Sequence, residues 1–80
     1  PAAAEMRHTI EHIALSHAWI LQIHGFYAEP AKKYMRFDAV VDFTKSRADA
    51  VDVLRQEIEA AYPGYRVDIT PDADVSDLSS

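Results

Sequence analysis

The sequence predicts an α+β domain of order α-β-β-α-β, a three-stranded mixed sheet with two helices on one face. Three observations carry this reading. Met35, Phe37, Ala39, Val41 and Phe43 alternate with Arg36, Asp38, Val40 and Asp42, the period of a half-buried strand. Apolar residues at helical spacing precede and follow the β-rich stretch His17–Phe43. Pro63-Gly64 then breaks the second helical pattern ahead of a short alternating run.

Taken in order, Pro1–Ala4 is a small-residue lead into a first helix over Glu5–Ser16. Met6, Ile10, Ile13 and His17 form its narrow apolar stripe. Glu5 and Glu11 suit the positive N-terminal half of such a helix. The next run places Trp19, Leu21 and Ile23 on one parity and Ile20, Gln22, His24 and Phe26 on the other, a first strand. Gly25 inside it marks a bulge or a close backbone approach. A hairpin folded about Ala31 pairs position 24 with 38, and 26 with 36. Tyr27 and Tyr34 flank the turn, and Lys32, Lys33 and Arg36 make a small basic edge.

Thr44 or Ser46 caps a second helix over Ala48–Tyr62, with Asp49 in the capping-box position relative to Ser46. Val51, Leu54, Ile58 and Ala61 are its inner stripe, and Arg55 and Glu59 are an outer i, i+4 pair. Tyr65–Thr70 is the third strand, with Val67 and Ile69 inward, Arg66, Asp68 and Thr70 outward, and Pro71 ending regular pairing. The acidic tail, 73–80, has no core pattern and is expected to fray. A crossover through the second helix makes strands two and three parallel and right-handed, in sheet order 1-2-3. That is a ferredoxin-like split βαβ without its first strand. The sheet face away from the helices is left open, carrying Ile20, Phe26 and Val40 among polar residues, which suggests a dimer or docking surface.

Eighty residues make one domain with a modest core, 1–80. With no Cys, disulfides, thiolate metal ligands and a thiol nucleophile are all excluded. A net charge of −5 without a basic patch argues against nucleic acid and is compatible with cations. No apolar run approaches the ~20 residues of a membrane span and no signal-peptide pattern is present, so direct membrane insertion of this segment is not expected. Pro1 in place of an initiator Met fits a fragment of a longer chain, whose other segments could include spans. There is no Gly-rich phosphate loop and no compact Ser/His/Asp spacing, so no enzyme is expected.

The candidate site follows from parity and register. His24 faces Asp38 across the hairpin on the open face, and strand three brings Asp68 and Asp72 toward the same side. One imidazole with two or three carboxylates can ligate a divalent ion such as Zn²⁺, Mn²⁺ or Fe²⁺, with water or a symmetry mate completing the shell. The plain alternative is a polar sheet face on which Arg36 and Arg66 neutralise the acids. His8 and His12, four apart on the first helix, can also bind a metal edge-on; H-T-I-E-H is not the zincin motif, and such a pair is ordinarily two solvated histidines.

The pieces I-H-G-F-Y at Ile23, R-F-D-A-V-V-D-F at Arg36 and A-Y-P-G-Y-R-V-D-I-T-P-D-A-D-V-S-D at Ala61 come in a specific order and spacing. With the second helix between them, the segment Ile10 to Asp77 resembles the cytosolic C-terminal domain of cation diffusion facilitator (cation efflux) transporters. The resemblance implies a metallochaperone-like fold that homodimerises on the cytoplasmic side of the cell membrane. It implies attachment to the transmembrane domain of the same transporter, which exchanges divalent metal for protons. Metal bound near the dimer interface would bias the transporter's conformation. Residue by residue, His24 matches a His after the first helix, Asp38 a second-strand ligand that is often His, and Asp72 an Asp soon after the third strand. Thr70 stands where many zinc transporters have a His, and Ala48 and Asp49 replace another. A stand-alone ferredoxin-like module binding a small molecule or a protein is the competing expectation.

Overall fold

The strand Tyr34–Val41 (β2) organises the molecule, because its alternation is the cleanest in the chain. In the computed structural model, which describes residues 2–74, Met35, Phe37, Ala39 and Val41 are buried and the residues between them are half-buried. Its neighbours are Ile20–Glu29 (β1), antiparallel, and Arg66–Ala73 (β3), parallel, in sheet order β1-β2-β3. The helices are Ala2–Leu15 (α1) and Arg47–Ala61 (α2), giving the order α-β-β-α-β. Met6, Ile10 and Ala14 of α1 and Ala50, Leu54 and Ile58 of α2 join the buried β2 residues, Ile20, Val67 and Ile69 in one cluster. Both helices therefore lie on one side of the sheet. Among the described residues nothing covers the other side, and the thinnest dimension is only 18 Å.

Local chemistry sets the element ends. Ser16 Oγ donates to the Ile13 carbonyl at 2.7 Å as α1 closes. A 3-10 turn, Pro30–Lys32, joins β1 to β2, and Lys33 completes it with a positive φ of 50°. Ser46 caps α2, its hydroxyl accepting from the Asp49 N–H at 3.2 Å. Ahead of it, the Asp42 carboxylate accepts from the Thr44 N–H at 3.1 Å and from the Thr44 hydroxyl, folding the β2–α2 link as an Asx turn.

Several expectations change. β1 contains irregularities between Ile20 and Gln22 and between His24 and Tyr27. Position 26 therefore does not pair with 36; Tyr27 does. The extra residues shift parity, so Ile20 is buried in the core and Phe26 packs against it, instead of lying on the open face. Phe43 follows the end of β2 and is 77% exposed, because the alternation stops with the strand. Ala61 is exposed at the end of α2, and Arg55 reaches the Val67 carbonyl at 3.4 Å in place of Glu59.

Pro71 does not end β3. It sits in register with Ala39, and pairing runs on to Ala73. Arg66 and Asp74 donate their N–H groups to the Lys33 and Val41 carbonyls, so even-numbered residues aim their donors at β2. Pro71, of the other parity, loses only a donor that would have pointed off the sheet edge. Ala73 thus belongs to β3 and Asp74 still donates its N–H to β2, while the remainder of the expected frayed tail, 75–80, lies outside the described residues, as does Pro1.

Candidate functional site

Register builds the site on the bare face. His24 of β1 pairs with Asp38 of β2, and Asp38 with Thr70 of β3. One step along, Val40 pairs with Asp72. The imidazole consequently lies between two carboxylates: Nδ1 is 3.7 Å from Asp38 Oδ2, and Nε2 is 3.8 Å from Asp72 Oδ2. Both distances exceed hydrogen-bond length, and both contacts are attractive only when the ring is protonated. Asp38 is the most covered of the three, with 21% of its side chain exposed against 46% for His24 and 44% for Asp72.

Arg36 fixes the carboxylate. Its guanidinium donates to the Gly25 carbonyl at 2.7 Å and to Asp38 Oδ1 at 3.2 Å. Gly25 is in the left-handed region, φ +67°, and a Cβ there would stand 2.7 Å from Asp38 Oδ2 and 3.1 Å from an Arg36 nitrogen. The bulge, the arginine and the aspartate form one unit, in which the absence of a side chain at position 25 lets Asp38 lean toward β1.

Asp68 shares the face but not the cluster. It pairs in register with Arg36, accepts from the Tyr34 hydroxyl at 3.1 Å and lies 3.5 Å from Arg66. Arg66 also covers the Tyr34 ring at 5.8 Å. The Tyr34 hydroxyl is pushed above the ordinary tyrosine range, first by desolvation and then by Asp68. At the turn end of the same face, a hydrogen bond from the Tyr27 hydroxyl is the main cause holding Glu29 below the ordinary glutamate range, with Lys32 adding to it. The same bond raises Tyr27.

Two features of this arrangement decide its chemistry. Ligands about 2.1 Å from a tetrahedral ion stand roughly 3.4 Å apart, close to either histidine–carboxylate gap. Yet each gap uses a different ring nitrogen, so an ion between His24 and Asp38 does not also lie between His24 and Asp72. Among the described residues no group of three or more His, Asp or Glu side chains converges as a metal-holding set. Among the described residues of one chain the donor set is incomplete, and Thr70 beside Asp38 brings no nitrogen.

Three interactions have weaker traces in the sequence. Tyr34–Asp68 follows from shared parity on neighbouring strands once the parallel register is known. Gly25 announces a bulge but not which side chain occupies the space. His17, expected on the inner stripe of α1, instead lies 2.7 Å from Glu57 of α2 and stacks on Trp19 at 4.3 Å, with Lys45 over the other ring at 4.8 Å. That contact spans 40 positions and has no local signature.

Neither models of known protein families nor curated proteins match this chain. Among the described residues no helix is long and apolar enough to cross a membrane.

Proposed function

We propose that this chain is the regulatory, dimerising cytosolic C-terminal domain of a divalent-cation efflux transporter of the cation diffusion facilitator family, with a metallochaperone-like variant of the ferredoxin-like fold. The motif resemblance over Ile10 to Asp77 supports the family. The observation that carries the reading is the bare sheet face bearing His24 between Asp38 and Asp72. A neutral His24 leaves two carboxylates facing an imidazole, partly offset by Arg36 on one of them. A divalent cation meets this charge better than water does.

His24 and Asp38, or His24 and Asp72, supply two donors for such an ion. Water or a second copy across a two-fold axis supplies the rest. Asp68, tied to Tyr34 and Arg66, is left out of the set. One imidazole with carboxylates is a hard donor set and suits Mn²⁺ or Fe²⁺ as well as Zn²⁺. The metal acts here as a regulatory ligand, and no reaction is assigned to the domain.

The second reading is a protein- or small-molecule-binding module. The Arg36–Asp38 and Arg66–Asp68 pairs favour it, since they neutralise part of the face without metal. Calorimetry of the metal-free domain against Zn²⁺, Mn²⁺ and Fe²⁺ separates the two. In a background with His8 and His12 both replaced by Ala, heat that disappears when His24→Ala is added supports the transporter reading; no heat with any ion in that background supports the binding module.

A further inference from the structure

The outer side of α1 carries a pair of histidines that the sheet face does not use. His8 and His12 are both exposed, on the side of the helix away from Met6, Ile10 and Ala14. Four residues at about 100° each bring them within about 40° of one another around the axis and one turn apart along it. Residues so spaced have Cβ atoms about 5–6 Å apart, close enough for two imidazoles to reach one ion. With Glu11, Leu15 and Ser16 they line a shallow depression. Among the described residues neither imidazole makes a hydrogen bond or ion pair, although the His12 carbonyl accepts from the Ser16 N–H. Both rings are therefore available without breaking an existing contact, and Glu11 adds negative charge beside them.

The geometry points to a second metal site, in which His8 and His12 chelate one late divalent transition-metal ion across a turn of α1. Two neutral nitrogens select ions late in the Irving–Williams series, Ni²⁺ and Cu²⁺ above Mn²⁺ or Fe²⁺, with water filling the remaining positions. The carboxylate-rich sheet face follows the same order less steeply, since oxygen donors also accept Mn²⁺ and Fe²⁺, so the helix pair is the more selective of the two for late ions. Binding needs both histidines in helical register. An ion held there stabilises folded α1 and raises the unfolding midpoint.

The test uses Ni²⁺ alone and a His24→Ala background, so that failure of the sheet-face reading does not affect it. Calorimetry is expected to show one Ni²⁺ per chain, and Ni²⁺ is expected to broaden the His8 and His12 ring protons in NMR spectra. Exchanging neighbours in the double variant Arg7→His/His8→Arg keeps the composition but separates the imidazoles by about 140° around the helix. His8→Ala removes one ligand at an exposed position where Ala favours helix. Each variant is expected to bind Ni²⁺ at least tenfold more weakly and to lose the Ni²⁺-dependent rise in unfolding temperature. Affinity unchanged in both variants, or broadening confined to other residues, overturns the proposal.

Discussion

Gly25 carries more of the candidate site than any charged residue. Its left-handed backbone forms the bulge, its carbonyl receives Arg36, and its missing Cβ leaves room for Asp38. Gly25→Ala forces a side chain into an unfavourable backbone region, at roughly 1–2 kcal/mol, and pushes Asp38 away from His24. The expected result is a lower urea midpoint at unchanged slope, with sheet-face metal affinity falling as well. A variant as stable as wild type contradicts this account of the bulge. His24 and Asp38 were legible because parity and a hairpin about Ala31 place them opposite. The capture of Asp68 by Tyr34 and Arg66 was not, since parity gives the face of a residue and not its partner.

Elements show the same division. Helices, caps and the β2 alternation were readable because each rests on contacts within a few residues; Ser46 is the cap, and Ser46→Ala should cost about 1 kcal/mol by urea unfolding. The two irregularities in β1 were not readable, because the extra residues are defined against the partner strand. They also explain why 24 pairs with 38 although 27, and not 26, pairs with 36. Pro71 misled for a similar reason: its missing donor matters only if it faces β2. The hairpin end predicts a pH profile. Glu29 is held below its ordinary range, so its contribution is present above that range and is lost as pH falls through the lowered value. Tyr27 and Tyr34 are raised, so theirs is present below ~10 and is lost as pH rises through the raised values. Tyr27→Phe should flatten the acid side, while Tyr34→Phe should flatten only the alkaline side. Urea midpoints measured across pH check both. On α1, replacing His8 and His12 together by Ala should leave sheet-face affinity within tenfold, because they lie on a separate element behind the core.

At the scale of the whole molecule, the described residues put helices on one side of the sheet and nothing on the other, and that open side carries the histidine and its two carboxylates. Under the proposed function, a second copy placed there by a two-fold axis would cover the face and supply the donors that the described residues of one chain lack. Dimerisation and metal binding are then one equilibrium, and each strengthens the other. Because only a neutral imidazole ligates, acid weakens both together. The direct measurement is metal titration with mass determined in each state, in a His8→Ala/His12→Ala background that silences the helix. Tens of micromolar domain are titrated with Zn²⁺ or Mn²⁺ at neutral pH and followed by calorimetry and sedimentation. The account predicts heat and a shift toward the dimer mass with at least one ion, both weakened tenfold or more by His24→Ala or Asp38→Ala. A domain that stays monomeric and silent with every ion, or variants that bind as tightly as their parent, would contradict it.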